Sequence, residues 1–587
     1  MEHPPASDDA GGNPTVWRAS RRTTSEARHR TGAPIKRQGR QGVPGSSVKI
    51  PWRQRSRRQE QYMKVTRRKV SKALIPSLAL VMVAAAGCSA GGAGGGGGGG
   101  EGGTPKSGGT LTMAVNLEGQ TMDPAWCGTF GFDRCAPVFG TLLRYDTEKD
   151  EFVPGMAESF ESSDGKSWTL KLRPGMTFSD GTPFDAEAVV ANWDRIKDPK
   201  TLSPAARKVE EITWKVEDAT TVAVTSESAN FQLPWSLTGP IGMIGSPTAI
   251  KASGKDFGNK PIGAGPFVLD KWTRNSQAEF VRNEKYYEEG LPHLDKFVLK
   301  VIAQDDQRLN ALRAGEIDID WSLLTKDAKA VEAEGFNVLR LPLVGGTGLI
   351  FNFEDPVAKD PLLREAMLKA FDSAQINNAV YPGDKPVDAL LFPDSPYRDD
   401  SKGTFPKKDL PGAQKLFDDY LAKTGKTSVT LKFSTYAGIP ALEQVAQILQ
   451  SQMEKIKGLN FEIDAMDGGT LQGKVLSGKW QIAMGATLSQ QADALYEVFH
   501  SEGTINTTRY SNPKVDAAFE TTRTSNDEAE VTEAYKVLAG ELSKDGPLRN
   551  WRYQVGHLFT PKKVKGLILA GTASGAGTYL ERAWIDK

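Results

Sequence analysis

Three cysteine thiols are the side chains in this 587-residue sequence whose settings most clearly indicate chemistry. Cys88 ends the small, apolar run 81–87 and stands directly before a Gly-rich stretch. A membrane peptidase that cut before Cys88 would leave its thiol at the new N-terminus, where it could carry lipid. The alternative is a buried helix with an incidental cysteine, but such a helix would not run on into the glycines of 94–100.

The residues before Cys88 have the composition of a secretory signal. The apolar segment 73–86 is short for a transmembrane helix, which needs about 20 apolar residues. It follows a positively charged region, as in a signal peptide, and that region contains Lys64, Arg67, Arg68, Lys69 and Lys72. We therefore predict that residues 63–87 are a lipoprotein signal peptide. From Cys88 onward, the chain is expected on the extracytoplasmic face of the cell membrane, anchored by lipid.

The segments on either side of this signal are not expected to fold. Residues 1–62 are rich in Arg, Gln, Ser, Gly and Pro, so they cannot bury enough apolar surface to fold alone. Because Met63 directly precedes the charged region, 1–62 is interpreted as a gene-model extension; a disordered basic tail is the alternative. Residues 88–107 are Gly-rich and are predicted to form a flexible tether.

The other two cysteines, Cys127 and Cys135, form an even pair once Cys88 is assigned to lipid. They are close enough in sequence to close a small loop, and an oxidising compartment favours a disulfide between them. Two unpaired buried thiols are the alternative. A metal site is not expected, because no nearby histidine or further cysteine completes a ligand set.

The sequence has no pattern typical of an enzyme active site. A Gly-x-Ser-x-Gly elbow and a His-Glu-x-x-His helix are both absent, and the five histidines are scattered along the chain. We therefore expect no catalytic residue, no metal and no cofactor. A secreted hydrolase, such as a peptidase or a glycosidase, is the alternative.

Charge is divided unevenly at Cys88. The residues before it hold 18 of the chain's 73 Lys and Arg and 5 of its 72 Asp and Glu, so the rest has a net charge of −12. An acidic surface disfavours nucleic acid as a partner. The 500 residues that follow residue 87 are too many for one hydrophobic core, so we expect two or three domains.

Short patterns near the start of the folded part predict the elements that must position a site. Residues 110–115 alternate as a strand. Residues 160–172 predict a hairpin around an Asp-Gly turn. Asp185 can cap a helix that begins at Ala186, whose apolar residues recur at helical spacing.

Patterns nearer the C-terminus predict parallel strand–helix–strand units. Residues 429–434 form a strand pattern, and a helical pattern with one apolar face follows over 442–453. Two further strand patterns occupy 461–463 and 480–484. Strands that alternate with helices in this way are typical of parallel sheets.

Several motifs occur in the order in which one known family has them. They are FSDGTP at 178–183, AEAV at 186–189, PIGAGPF at 261–267, RNEKYY at 282–287, RLNALRAGEID at 308–318 and YSNP at 510–513. From about Gly108 to its end, the chain thus resembles the family 5 extracellular solute-binding proteins. These are the oligopeptide, dipeptide and nickel binders of ABC importers.

The resemblance implies an α/β fold of the type II periplasmic-binding-protein class, with two hinged α/β lobes and an extra inserted domain. The implied boundaries are 108–148, 262–345 and 550–587 for the first lobe, 149–261 for the extra domain and 346–549 for the second lobe. It also implies a monomeric, lipid-anchored binding protein that delivers a solute to ABC permease subunits and their ATPases.

A binding protein of this kind needs a cleft, and the carboxyl ends of strands are where an α/β sheet leaves one. On that basis, the ligand-binding candidates are the aromatic residues Trp126, Phe351, Tyr436 and Trp551 and the polar residues Asn352 and Thr487. Large aromatic side chains serve packing more often than binding, so a core role stays the alternative for each aromatic.

One position departs from the family's pattern. Where peptide binders commonly carry an acidic residue that pairs with the ligand's ammonium group, this chain has Thr487, which lacks the charge for a strong contact. Asp493 could substitute from the next turn. The expected solute is a peptide or a peptide-like compound, and an oligosaccharide or a siderophore-like compound is the alternative. Use as a receptor rather than in import also stays open.

Overall fold

A computed structural model describes residues 103–127, 131–147, 149, 151–393, 395, 397–489, 492–572 and 575–586. The predicted extension 1–62, the signal peptide 63–87, Cys88 and most of the tether lie outside these residues. Within them, no helix combines the length and the apolar character needed to cross a membrane.

The described residues contain twenty strands. In chain order they are β1 (Thr110–Val115), β2 (Leu143–Asp146), β3 (Glu151–Pro154), β4 (Ala157–Ser162), β5 (Ser167–Leu172), β6 (Ile212–Asp218), β7 (Thr221–Ser226), β8 (Phe267–Thr273), β9 (Gln277–Arg282), β10 (Lys296–Val301), β11 (Ile319–Ser322), β12 (Asn337–Phe351), β13 (Val429–Tyr436), β14 (Leu459–Met466), β15 (Ile482–Ser489), β16 (Leu548–Thr560), β17 (Val564–Lys565), β18 (Ile568–Thr572), β19 (Gly575–Tyr579) and β20 (Trp584–Ile585).

The same residues contain fourteen α-helices. They are α1 (Phe132–Phe139), α2 (Ala186–Lys197), α3 (Arg207–Glu210), α4 (Pro247–Ser253), α5 (Asp305–Ala314), α6 (Thr325–Ala333), α7 (Pro361–Ala370), α8 (Ser373–Val380), α9 (Leu410–Thr424), α10 (Pro440–Met453), α11 (Gly468–Leu476), α12 (Ala494–Phe499), α13 (Pro513–Thr524) and α14 (Glu528–Asp545). Short 3-10 helices occupy Pro124–Trp126, Pro199–Thr201, Leu233–Thr238, Pro240–Gly242 and Gly254–Asn259.

One ten-stranded sheet, in the order β14-β13-β15-β12-β16-β11-β1-β10-β9-β8, runs through the structure. We call β1 and β8 to β11 the first strand set, and β13 to β15 the second. Parallel pairs join β1 to β10 and β11, and join β13 to β14 and β15. The predicted strand at 110–115 and the parallel units of 429–484 are therefore confirmed.

The long strands β12 and β16 connect the two sets. Near its start β12 pairs with the part of β16 that borders β11, and near its end it pairs with β15. The register places the carboxyl ends of β11 and β15 near the middle of these strands, and their parallel neighbours end on the same side. Both sets thus direct their carboxyl ends toward the middle of β12 and β16. We call this place the crossing, because the two long strands pass there from one strand set to the other.

The crossing is marked by a break in the β12–β16 ladder. Leu343 pairs with Gln554 and Thr347 pairs with Arg552, so β12 carries extra residues there. Gly345 and Gly346 form this bulge with φ of 90° and 108°, a region that only glycine enters at little cost. A Cβ on Gly346 would also overlap the carbonyl oxygen of Arg552.

A separate antiparallel sheet, in the order β4-β5-β7-β6, packs with α2 around its own core. The predicted hairpin is β4 and β5, and Asp185 caps α2 by accepting a hydrogen bond from the backbone N–H of Ala188 at 2.9 Å. Both predictions are confirmed. The predicted domain boundaries at 149, 262, 346 and 550 stay a proposal.

The bulge generates the first prediction, a destabilised Gly346→Ala variant. Backbone strain at this φ costs about 1–3 kcal/mol, and the overlap with Arg552 adds to it. Gly473 in α11 is the matched control, because a Cβ there meets nothing within 4 Å. Gly473→Ala should stabilise by about 0.5–1 kcal/mol, since alanine favours a helix. Urea unfolding measures both variants, and equal effects would show that the crossing does not require glycine.

Candidate functional site

The loop that follows β1 lies at the carboxyl end of a strand in the first set, the kind of position where the cleft is predicted. Leu117 is 65% exposed and Trp126 is 42% exposed, unusual fractions for side chains so apolar. Trp126 lies on a 3-10 helix whose cap, Asp123, accepts a hydrogen bond from the backbone N–H of Ala125 at 3.0 Å. Arg195 of α2 donates to the same carboxylate at 2.8 Å. This loop therefore presents fixed apolar surface.

Cys127 and Cys135 lie directly beside this loop. The structure pairs them as a disulfide, with Cα atoms 6.5 Å apart. Cys127 follows Trp126 and Cys135 lies on α1, so the bond ties the Trp126 segment to that helix. The residues 128–130 between them are not described.

The second strand set presents Tyr436, Ile439 and Thr487 near the crossing. Tyr436 ends β13, half-buried, and its ring packs at the start of α11, where a Cβ on Gly468 would lie 3.3 Å away. Ile439 is 43% exposed three residues later. Thr487 is buried and pairs with Gly346 across β15 and β12. Of these three residues, Tyr436 and Ile439 have accessible side chains at or just past the carboxyl end of β13.

Three of the predicted ligand-binding residues lie elsewhere. Phe351 and Trp551 are each 1% exposed and share one hydrophobic cluster. The Asn352 amide donates hydrogen bonds to the carbonyls of Gly478 at 3.0 Å and Trp480 at 2.8 Å. Since β12 and β16 are central strands with both faces covered, their side chains are used in packing. The structure thus places these three side chains in packing and hydrogen-bond contacts, and their role in ligand binding stays a prediction.

Asp493, the predicted substitute for the missing acidic residue, is already paired. Its two carboxylate oxygens accept hydrogen bonds from Arg523 Nε at 3.0 Å and Nη2 at 3.2 Å. The Arg523 guanidinium also lies 3.2 Å from the centre of the Tyr496 ring, and the neighbouring Asp493 carboxylate raises its pKa against the effect of burial. A solute ammonium would have to compete with this guanidinium for Asp493.

The segment that follows β7 contacts the same region. The backbone N–H of Phe231 donates to the Arg523 carbonyl at 2.7 Å, and the Gln232 amide donates to the Thr522 carbonyl at 3.1 Å. Residues of the β4-β5-β7-β6 unit thereby touch α13, which belongs to the core of the second strand set's side. These hydrogen bonds join the segment after β7 to the carboxyl end of α13.

Lys208 of α3 lies close enough to the Asp493–Arg523 pair for these charges to act on its amine. Burial lowers the pKa of Lys208, and the carboxylates of Glu497 and Asp493 oppose that effect. No motif pointed to Lys208, Phe231 or Gln232, because their roles come from contacts distant in sequence.

Leu117 and Ile439 were also missed, although a signal for them exists. Each is an apolar residue in a loop just past a predicted strand.

An open cavity lies apart from these groups. Its volume is about 790 Å³ and its lining includes Arg173, Lys285, Tyr287, His293 and Arg582. None of the predicted ligand-binding residues lines it. The described residues also contain no group of three or more His, Cys, Asp or Glu side chains placed to hold a metal ion.

The sequence matches one protein family and several of its characterised members. Residues 151–506 match the model of the bacterial extracellular solute-binding proteins, family 5, middle region. The glutathione-binding protein GsiB of Shigella flexneri is 29% identical over 417 residues, which cover 67% of this chain and 78% of that protein. GsiB of Escherichia coli K12 is 28% identical over the same length and shares.

Solved structures share the fold. The periplasmic binding protein AgaA of A. tumefaciens R10, in complex with agropinic acid, has a TM-score of 0.70 at 24% identity, over 82% of this chain and 99% of that chain. The oligopeptide-binding protein AppA of Bacillus subtilis, bound to a nonapeptide, has a TM-score of 0.70 at 20% identity, over 82% and 100%. These likenesses confirm the predicted α/β fold of the type II periplasmic-binding-protein class.

The Asp493–Arg523 pair generates the second prediction. Asp493→Asn should destabilise the protein by about 3 kcal/mol, because it removes the bidentate partner of a largely buried guanidinium and leaves only the Glu497 carboxylate, 3.4 Å away. Glu334→Gln is the matched control, since Glu334 forms an exposed pair with Arg313 at 2.6 Å and exposed pairs contribute little. Chemical unfolding compares the two. If Asp493→Asn is as mild as the control, the pair does not hold α12 to α13.

Proposed function

Because the chain belongs to the bacterial extracellular solute-binding proteins of family 5, we propose that it captures a peptide or peptide-like solute outside the membrane and delivers it to an importer. The family supplies the substrate-binding proteins of ABC importers. Relatives named for glutathione, itself a peptide, support the solute class. ABC permease subunits, with their ATPases, are the proposed partners of a monomeric protein.

The observation that carries this proposal is the arrangement of the central sheet. Two strand sets direct their carboxyl ends toward a crossing made by only two long strands. A solute bound there would contact both sets and favour the closed over the open arrangement by its difference in affinity for the two. We propose that the first set, with 550–587, forms one lobe, and that the second set forms the other within 346–549.

In this proposal Trp126, Leu117, Tyr436 and Ile439 form the apolar walls of the cleft, and Thr487 its polar floor near the crossing. The contacts of Phe231 and Gln232 with α13 would form upon closure and break upon release. The extra domain, proposed as 149–261, would thus take part in holding the solute rather than serve as a spacer.

A non-peptide solute is the second candidate, and one observation favours it. Asp493 is bound by Arg523, and Thr487 carries no charge, so neither offers a free carboxylate to a peptide's ammonium group. An oligosaccharide or a siderophore-like compound does not need such a carboxylate.

The third prediction concerns the solute. The purified chain, stripped of bound ligand by unfolding and refolding, should be stabilised by about 2.7 kcal/mol at a solute concentration near 100 times the dissociation constant. Thermal unfolding with glutathione, mixed oligopeptides and oligosaccharides measures this. Stabilisation by peptides supports the first candidate, and stabilisation by saccharides alone supports the second. Hydrolysis of a stabilising compound by the chain would overturn both in favour of an enzyme.

The fourth prediction concerns the proposed anchor at Cys88. Several acyl chains on its thiol and new amine would hold the protein on the membrane durably, whereas one chain gives marginal binding. Membrane fractions of expressing bacteria should therefore retain the natural chain, and Cys88→Ala should lose this retention. Cys127→Ala is the matched cysteine control: it removes the disulfide but leaves Cys88, so this variant should remain in the membrane fraction. Equal retention of the Cys88→Ala variant would contradict lipid anchoring.

A further inference from the structure

A buried arginine beside the loop that follows β1 has no side-chain hydrogen-bond acceptor and no ion-pair partner among the described residues. Arg134 lies on α1 and is 8% exposed. Within the described part of the chain its Nε is buried without a hydrogen-bond acceptor, and its side chain forms no ion pair. Because a buried charge without a carboxylate partner is costly, this guanidinium would gain from an anion supplied from outside the described residues.

The guanidinium lies against the loop that follows β1. A Cβ on Gly119 would overlap its nitrogens and its central carbon, so a glycine at this position admits the guanidinium to the loop backbone. The loop carries Leu117 and leads to Trp126, both of which are exposed. The unpaired charge thus stands next to the proposed apolar wall.

Nearby acidic side chains are bound elsewhere. Glu118 accepts a hydrogen bond from Trp272 Nε1 at 2.9 Å. Asp133 accepts hydrogen bonds from the backbone N–H and the hydroxyl of Thr578 at 2.9 and 3.0 Å. They attract Arg134 only from a distance, and burial outweighs that attraction to lower the pKa of Arg134.

A second arginine supports the loop from another side. Arg274 lies 3.4 Å from the centre of the Trp272 ring and donates to the carbonyl of Gln120 at 3.0 Å. The positive charges of Arg274 and Arg134 repel each other. An anion near Gly119 would reduce this repulsion. Unlike Arg134, Arg274 has its own acceptors.

We propose that Arg134 binds a carboxylate of the solute and so makes this protein selective for solutes that carry an anionic group. A guanidinium offers a rigid fork of donors that fits a carboxylate with two parallel hydrogen bonds. The inference rests on the proposed function and specifies the chemical class of its solute. Arg134 would determine specificity, while the apolar walls would supply general affinity.

The binding test compares each probe with its carboxyl-blocked form. Glutathione and trialanine are used as free acids, and as the diethyl ester and the C-terminal amide. The natural chain should bind the free acids about 10- to 100-fold tighter, as expected when charge-assisted hydrogen bonds are lost. Arg134→Gln should remove this preference, whereas Arg313→Gln, the same charge change at an exposed pair, should keep it. A preference that survives in Arg134→Gln overturns the inference.

Ligand-free stability provides a test that needs no solute. Arg134→Met should leave the melting temperature unchanged or raise it, because an apolar side chain replaces an unpaired buried charge. Arg308→Met is the contrasting control, since Arg308 pairs with buried Asp320 at 2.9 Å, and it should melt lower. A fall in Arg134→Met as large as that control would show a structural cation and overturn the inference. If no solute binds at all, the proposed function fails while this comparison still decides the state of Arg134.

Discussion

The structure depends on two strands that must serve both halves of one sheet. β12 and β16 pair with each other along most of their length, and each also borders a different strand set. β16 is buried almost throughout, and β12 is buried from Gly345 to its end, so neither strand can bend there by exposing a face. Any change in angle between the two sets must be absorbed where the ladder is already broken, at Gly345 and Gly346. The bulge is therefore both the weakest point of pairing and the natural place for a hinge.

Polar side chains on β16 hold the crossing together from both sides. Arg552 donates to the Leu323 carbonyl at 2.6 Å, lies 2.8 Å from the Asp384 carboxylate and packs over Tyr381. Asn550 donates to the Gly345 carbonyl at 2.6 Å. Since Leu323 follows β11 and Asp384 lies beyond β12, one guanidinium joins both sides of the crossing. Such buried polar contacts add less to stability than to the choice of one geometry.

The sequence predicts local structure here better than it predicts the site. Alternation at 110–115, the Asp-Gly turn of the hairpin and the cap at Asp185 act over a few residues, and the structure has all three. Parallel units also followed from strand and helix periods. The burial of Phe351 and Trp551 could not be predicted in this way. A strand pattern does not show whether the strand lies at the centre or at the edge of a sheet. The pairing of Asp493 with Arg523, thirty positions apart, leaves no local signal either.

Whether a buried charge has a partner within the protein distinguishes the side chains that maintain the fold from those that a solute could bind. Arg523 and Arg552 have carboxylate partners within the protein, so closing the cleft over them adds no unpaired charge. Among the described residues Arg549 has no carboxylate at ion-pair distance, but it lies between the rings of Phe371 and Phe405 and donates to the Asn550 carbonyl at 2.8 Å. Ring faces and a backbone dipole thus stabilise its charge. Within the same part of the chain Arg134 has neither kind of partner, and it alone of these four lies against the loop that follows β1. Burying a charge is costly for all four arginines. Arg523, Arg552 and Arg549 offset that cost with groups of the protein and so maintain the fold, whereas we propose that Arg134 offsets it with a group of the solute.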